Sequence, residues 1–344
     1  MRMGFLFATL ALGVVALVLS AGTSPAGKWD WQTGSDSSSS SSAAAAPKPP
    51  RILRPIMFNE PDADVLCSQM QIYPKENAWH WDISKAPLLK NSKEMIAAVG
   101  ASGSLAFNHD MCFIIIPPDQ KMVPVFRTDT ANVLGNYPVP ENMPIEEWPM
   151  NRQDLAKYQQ ETGGDRHAMV VDPVNGRLYE FYQARRTNQG WEATGAATFN
   201  LAINEIRPKG SHSADASGLP IFPSIIRFDE VERGMVEHAV RFTVNKTLPS
   251  HVFPATAHAG LGKDPNLPRM GERFRLRGNF DLRGFSPHAQ AILKGLMKYG
   301  MFVADNGGNW RISCAPDPRI KGLGEISRVK ATDLEVVDTS ALAP

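Results

Sequence analysis

The chemistry available to this chain sits in short polar clusters. GGDRH sets Asp165, Arg166 and His167 after two glycines, at the entry to an apolar run. SHSADASGLP carries His212, Ser213, Asp215 and Ser217 in a stretch too polar for a core. HAVRF holds His238 and Arg241, ATAHAG holds His258, and ADNGGNW holds Asp305 and Asn306 beside Trp310. Carboxylates such as Asp215 and Asp305, with His167 and His258 as partners, are the residue types of an acid–base pair. Two carboxyl groups across a glycosidic bond are the machinery of glycoside hydrolysis. A Tyr or His base with an Arg that neutralises a uronate carboxylate suits β-elimination, and Tyr179, Tyr182, Arg241 and Arg275 are of that type. His238, Arg241, Trp310 and Asp165 complete the candidate set as substrate-binding residues, and the tryptophans offer stacking faces for sugar rings. The histidine spacings are too long and unspecific to assign a metal, and no cofactor is expected.

Each cluster also has a structural reading. Asp305-Asn306-Gly307 is a turn-forming triplet. His238 alternates with Val240 and Phe242, as a core histidine does. RFDEVERG reads as a solvated helical turn, and the row Arg273, Arg275 and Arg277 as the solvent face of an edge strand or an anion-binding surface. The elbow G-x-S-x-G, H-E-x-x-H, a Walker loop and a strand-linked G-x-G-x-x-G are all missing, which argues against esterase, zincin and nucleotide-dependent chemistry.

Composition narrows the class. The 344 residues are 43% hydrophobic and 21% charged, with 36 Lys+Arg against 35 Asp+Glu. That balance argues against nucleic acid as partner. Residues 1–26 open with Arg2 and an apolar run from about residue 4 to 21, followed by small residues. This is a signal peptide or an uncleaved N-terminal anchor, giving a membrane tether through residues 4–21. Residues 27–50 include GSDSSSSSSAAAAPKPP and read as a disordered Ser/Ala/Pro linker. The expected location is exported: periplasmic, cell-surface or extracellular. Three cysteines, Cys67, Cys112 and Cys314, allow one disulfide in any of three pairings, or three buried thiols.

Residues 51–344 are expected to form one β-rich domain, with 51–150 as a helical or extended wrap. Short helices are predicted over 59–74 and 91–103, and a longer one over 286–300 with Ser286, Pro287 and Gly300 as its start and stop signals. MCFIIIPP (111–118) and MVPVFR (122–127) are expected to pair, RHAMVVD and RLYEFYQARR to form a hairpin over PVNG, and 132–149 to be a surface loop. With 27 glycines and 27 prolines, many short strands suggest a mainly β fold: a β-sandwich of jelly-roll or lectin-like type with a few peripheral helices.

The phrases NAWHWDISKAPL, NMPIEEWP, GGDRHAMVVD, RLYEFYQA, SADASGLPIFPSIIRFDE, LPRMGERFRLR and YGMFVADNGGNW resemble those of a family of exported bacterial proteins of largely uncharacterised function. They span about residues 59 to 337. Where such proteins often show a His-Pro-Asp-Phe-Gly-like phrase, this chain reads LAFNHDMCF. The resemblance implies export and assigns no activity. From the residues themselves, the expectation is an exported carbohydrate-active protein, a polysaccharide hydrolase or lyase. The alternatives are a non-catalytic glycan- or cell-wall-binding module and a structural envelope protein. The expected partner is a polysaccharide or envelope glycan.

Overall fold

The computed structural model describes residues 51–150, 154–205 and 207–344. The expected signal or anchor (1–26) and linker (27–50) lie outside the described residues. Among those described, fifteen strands form three sheets, with few helices between them; the fold is strand-rich and mixed α/β. No helix among them is long and apolar enough to cross a membrane.

The first sheet runs β1 (Ile56–Met57), β3 (Ile114–Ile115), β6 (Ala168–Asp172), β7 (Arg177–Tyr182) and β10 (Gly195–Asn200). The second runs β15 (Leu334–Val337), β12 (Arg273–Leu276), β13 (Met301–Asn306), β11 (Val240–Val244), β14 (Arg311–Cys314) and β2 (Ala106–His109). The third runs β5 (Val133–Tyr137), β4 (Val123–Arg127), β9 (Gly190–Ala193) and β8 (Arg185–Thr187). Each sheet contains a parallel pair: β3 with β6, β11 with β13, β14 with β2, and β4 with β9. A jelly roll pairs antiparallel throughout, so this topology departs from that pattern.

The first sheet is covered on both faces. Side chains alternate across a strand, and here the alternation sorts residues between two cores. Ile115, Met169, Val171, Leu178 and Phe199 enter the larger core shared with the second sheet. Ile114, Ile116, Ala168, Val170 and Phe181 enter a smaller core with Val125, Trp191 and Ala193 of the third. Burial on both sides explains the unbroken apolar runs FIII and AMVV.

The hairpin β6–β7 forms as expected over PVNG, with Asp172 accepting from the backbone of Val174 and Asn175. Helix α1 (Pro61–Gln69) and helix α2 (Ser92–Val99) fall inside their expected spans. Helix α3 (Leu155–Gln160) starts on the Asp154 side-chain cap, and helix α4 is Phe228–Glu232. Helix α5 (Pro287–Lys298) starts after Ser286 with Pro287 in its first turn, and Gly300 follows at φ +68.

Several expectations give way. Strand β4 pairs with β5 and β9, not with the 111–118 segment, because the two segments belong to different sheets. The stretch 132–149 contains β5 and buries Val139, Met143 and Ile145 in the smaller core. Two of the three acids of RFDEVERG are buried, while Glu232 is exposed: Arg227 bonds Asp229 and Glu230, and Glu230 also lies 2.9 Å from His238 Nε2. Arg273 is buried too, donating to the carbonyls of Tyr299 and Ala78 and lying 4.1 Å from the Phe302 ring centroid. Only Arg275 and Arg277 of that row reach toward solvent, both beside Glu335.

Candidate functional site

One end of the first sheet meets the middle of the second, and polar residues from eight segments converge there. Their placement begins with backbone detail. Gly163 and Gly164 take positive φ, as does Arg166 at +49. Arg166 is held there by bonds from its guanidinium to the carbonyls of Ala184 and Tyr158, both at 2.9 Å. That turn delivers His167 to the start of β6, opposite Tyr182 at the end of β7, with ring centroids 5.6 Å apart. On the second sheet, the register of β11 and β13 shifts between Phe242 and Thr243, so Thr243 faces Asp305 rather than Ala304. The bulge turns Asp305 to the Arg241 side of the sheet.

Arg241 is the hub. Its Nε and Nη2 donate to Asp215 Oδ2 and Oδ1 at 2.7 and 2.9 Å, its Nη1 to Ser313 Oγ at 2.8 Å, and its Nη2 to Asp305 Oδ2 at 3.4 Å. The Asp215 pairing is bidentate, the strongest geometry for these groups. A second pair lies beside it: His167 Nδ1 is 2.9 Å from Glu146 Oε2, and its Nε2 is 3.0 Å from the carbonyl of Ala214, the neighbour of Asp215. Glu146 is tied in place by its own N–H on the His167 carbonyl, and Glu147 by its N–H on the Asp110 carbonyl.

The environment separates the ionisation of these acids. Burial and the charge of Asp215 push Asp305 up to about 7, against the pull of Arg241. Burial and the charge of Glu146 push Asp110 up to about 7. Glu146 goes the other way: burial raises it, but the hydrogen bond and charge of His167 outweigh that and hold it below the usual range. Burial opposes the charge on His167, yet Glu146 lifts it to about 9. Glu180, fully buried beneath the cluster, accepts from the N–H groups of Ile221 and Phe222 and is pushed by burial to about 8. Proton-bearing carboxyls therefore stand beside ionised ones, the arrangement by which a single site runs acid and base roles.

Access is unequal. Asp305 keeps 21% of its side chain exposed and Glu146 12%; Asp110 and Tyr182 are half-buried, and Asp165, accepting from the Tyr182 hydroxyl at 3.2 Å, is exposed. Asp215, His167 and Arg241 are buried. Of the residues expected from sequence, His167, Asp215, Asp305, Arg241 and Asp165 belong to this neighbourhood.

Three do not. His258 is exposed and faces His251, with ring centroids 6.2 Å apart. His238 belongs to the Arg227–Glu230 network. Trp310, 1% exposed, packs against Phe242 and Phe274 with its indole N–H on the Gly100 carbonyl, so it offers no face to a sugar. Arg241 is buried and commits four of its five N–H donors to Asp215, Ser313 and Asp305. Asp215 is buried too, with both carboxylate oxygens on Arg241.

Asp110, Glu146, Glu180 and Ser313 escaped sequence reasoning. Their signals were faint: Asp110 sits in NHDMCF and Glu146 in NMPIEEWP, each with nothing nearby in sequence to act on. No group of three or more His, Cys, Asp or Glu among the described residues adopts metal-holding geometry. No family model, curated protein or solved structure matches this chain.

Proposed function

We propose that the protein is an exported polysaccharide hydrolase that cleaves glycosidic bonds by acid–base chemistry at the Asp305 cluster. The observation that carries this reading is that a partly exposed carboxyl, Asp305, raised to about 7, and Glu146, held below the usual range, both act on the same buried Arg241. Asp305 is the general acid that protonates the leaving oxygen. Glu146, kept ionised by His167, faces the positive charge that develops on the sugar ring. Asp215 holds Arg241, and Arg241 orients Asp305. The burial of Arg241 and its ion pairs with Asp215 and Asp305 disfavour elimination, which needs a free cation to neutralise a uronate carboxylate. The apolar run at residues 4–21 and the resemblance to exported bacterial proteins support the location. A sandwich of the first and second sheets is in keeping with the core that they share, and the hydrolase reading does not depend on it.

The test is to incubate the purified chain with neutral and uronate-containing polysaccharides and to weigh the soluble products by mass spectrometry. Shorter oligosaccharides bearing one added water are expected. Asp305→Asn should lower the rate by about 10²–10⁴-fold, the usual contribution of a positioned acid. In the wild type, activity should fall as pH rises through about 7 and the Asp305 proton is lost. Unsaturated ends would make the enzyme a lyase; no product from any polymer would sink the catalytic reading and leave a glycan-binding module in front.

A further inference from the structure

The segment that supplies Asp215 also builds a cavity. Three residues on, Gly218 turns at φ +75, packed so closely against Thr256 and the Ser211 carbonyl that no side chain fits. Its own carbonyl accepts from Arg207 Nη1 at 2.7 Å, and the His212 carbonyl accepts from Arg207 Nη2 at 2.9 Å. The guanidinium lies 4.6 Å from the centroid of the Phe199 ring. Two carbonyls and a ring thus fix a fork of five N–H donors of which two are used. Unlike Arg227 and Arg241, Arg207 has no carboxylate within ion-pair distance among the described residues.

Arg207 forms part of the wall of a cavity of about 420 Å³, toward the small end of the ~300–1,000 Å³ typical of small-molecule sites. Its buried wall alternates aromatic and polar groups: Tyr73, Trp79 and Phe199 with Asn77 and Thr256. Its exposed rim carries Lys209 and one opposing acid, Glu205. His251 completes the wall; burial and the charge of Lys209 hold it below its ordinary range, so it presents a neutral imidazole.

We propose that this cavity binds a ring-bearing monocarboxylate of the hexuronate class, its carboxylate on Arg207 and Lys209 and its ring against the aromatic wall. The planar Arg fork matches a carboxylate. One lysine set against one glutamate suits a single negative charge better than a phosphate dianion. Thr256 Oγ1 donates to the Ser211 carbonyl and keeps its acceptor side, and the exposed Asn204, which accepts from Asn77, keeps its amide N–H groups; these are partners for sugar hydroxyls that an aromatic acid lacks. Binding does not depend on Asp305, so the proposal stands or falls apart from the hydrolase reading.

The full-length protein is titrated by calorimetry with galacturonate, neutral galactose and benzoate. Saturable binding of galacturonate is expected, with galactose weaker by on the order of tenfold, the worth of a charge-assisted pair. Lys209→Ala, at an exposed position, should weaken binding several-fold and reduce its salt dependence. Arg207→Met should abolish binding, and Asp305→Asn should leave it unchanged. Equal affinity for galactose, tighter binding of benzoate, no binding at all, or affinity untouched by Lys209→Ala would each overturn the proposal.

Discussion

Residues in this site divide by whether they hold a charge or carry a proton, and stability separates the two. Asp215 makes a bidentate pair with a buried guanidinium; removing it strands Arg241, and Asp215→Ala should cost about 3–5 kcal/mol in denaturant unfolding. Below pH 7 Asp305 bears its proton and Asp305→Asn replaces it by a neutral isostere, so in that range the unfolding midpoint should stay near that of the wild type while activity falls. His167 gives a pH signature. Its folded value of about 9 lies above the unfolded value of about 6.5. Its contribution is therefore fully present below pH 6.5 and is lost as pH climbs toward 9. The wild-type midpoint should fall across that window, and His167→Gln should flatten the slope; equal slopes would show that Glu146 does not hold the proton there. The sequence displayed His167 and Asp215, because GGDRH and SADASG are dense in polar types. It hid Asp110 and Glu146, which lie in mostly apolar phrases and acquire partners only through pairings distant in sequence.

At the scale of elements, the first sheet with its two cores is the part that sequence pattern described least well. Continuous runs such as FIII and AMVV gave no period to tell which residue faces which side, and the third sheet that covers them was expected to be loop and hairpin. The hairpin β6–β7 and helix α5 were legible because their signals are local: a PVNG turn, a Ser-Pro start and a glycine stop. Two covered faces make a testable contrast. Val170→Ala and Val171→Ala, pointing to opposite sides, should each cost on the order of 2 kcal/mol. A sheet with one wet face would make one of the two nearly neutral.

For the whole molecule, the three cysteines are free and buried. A thiol-reactive dye added without reductant should label none in the folded protein and all three after unfolding in denaturant. Labelling of one alone after unfolding would mean that two are joined in a disulfide. A subset of the charged residues lies inside: Arg227, Asp229, Glu230, Arg241 and Asp215 are all buried. Composition counts charges without locating them, so burial of so many ionic groups was not readable from the chain.

The doubly covered sheet also bears on how the chain reaches its native state. Strand β3 must wait for β6, about fifty residues later, and β2 for β14, about two hundred residues later, so early contacts are few and loop closure is slow. Until then the segment Ile114–Ile116 stands exposed as an uncharged β-branched run, the composition that self-associates between chains. Refolding yield should therefore drop steeply as protein concentration rises. A charged residue in place of Ile116 would raise solubility of the unfolded chain only by sacrificing the smaller core.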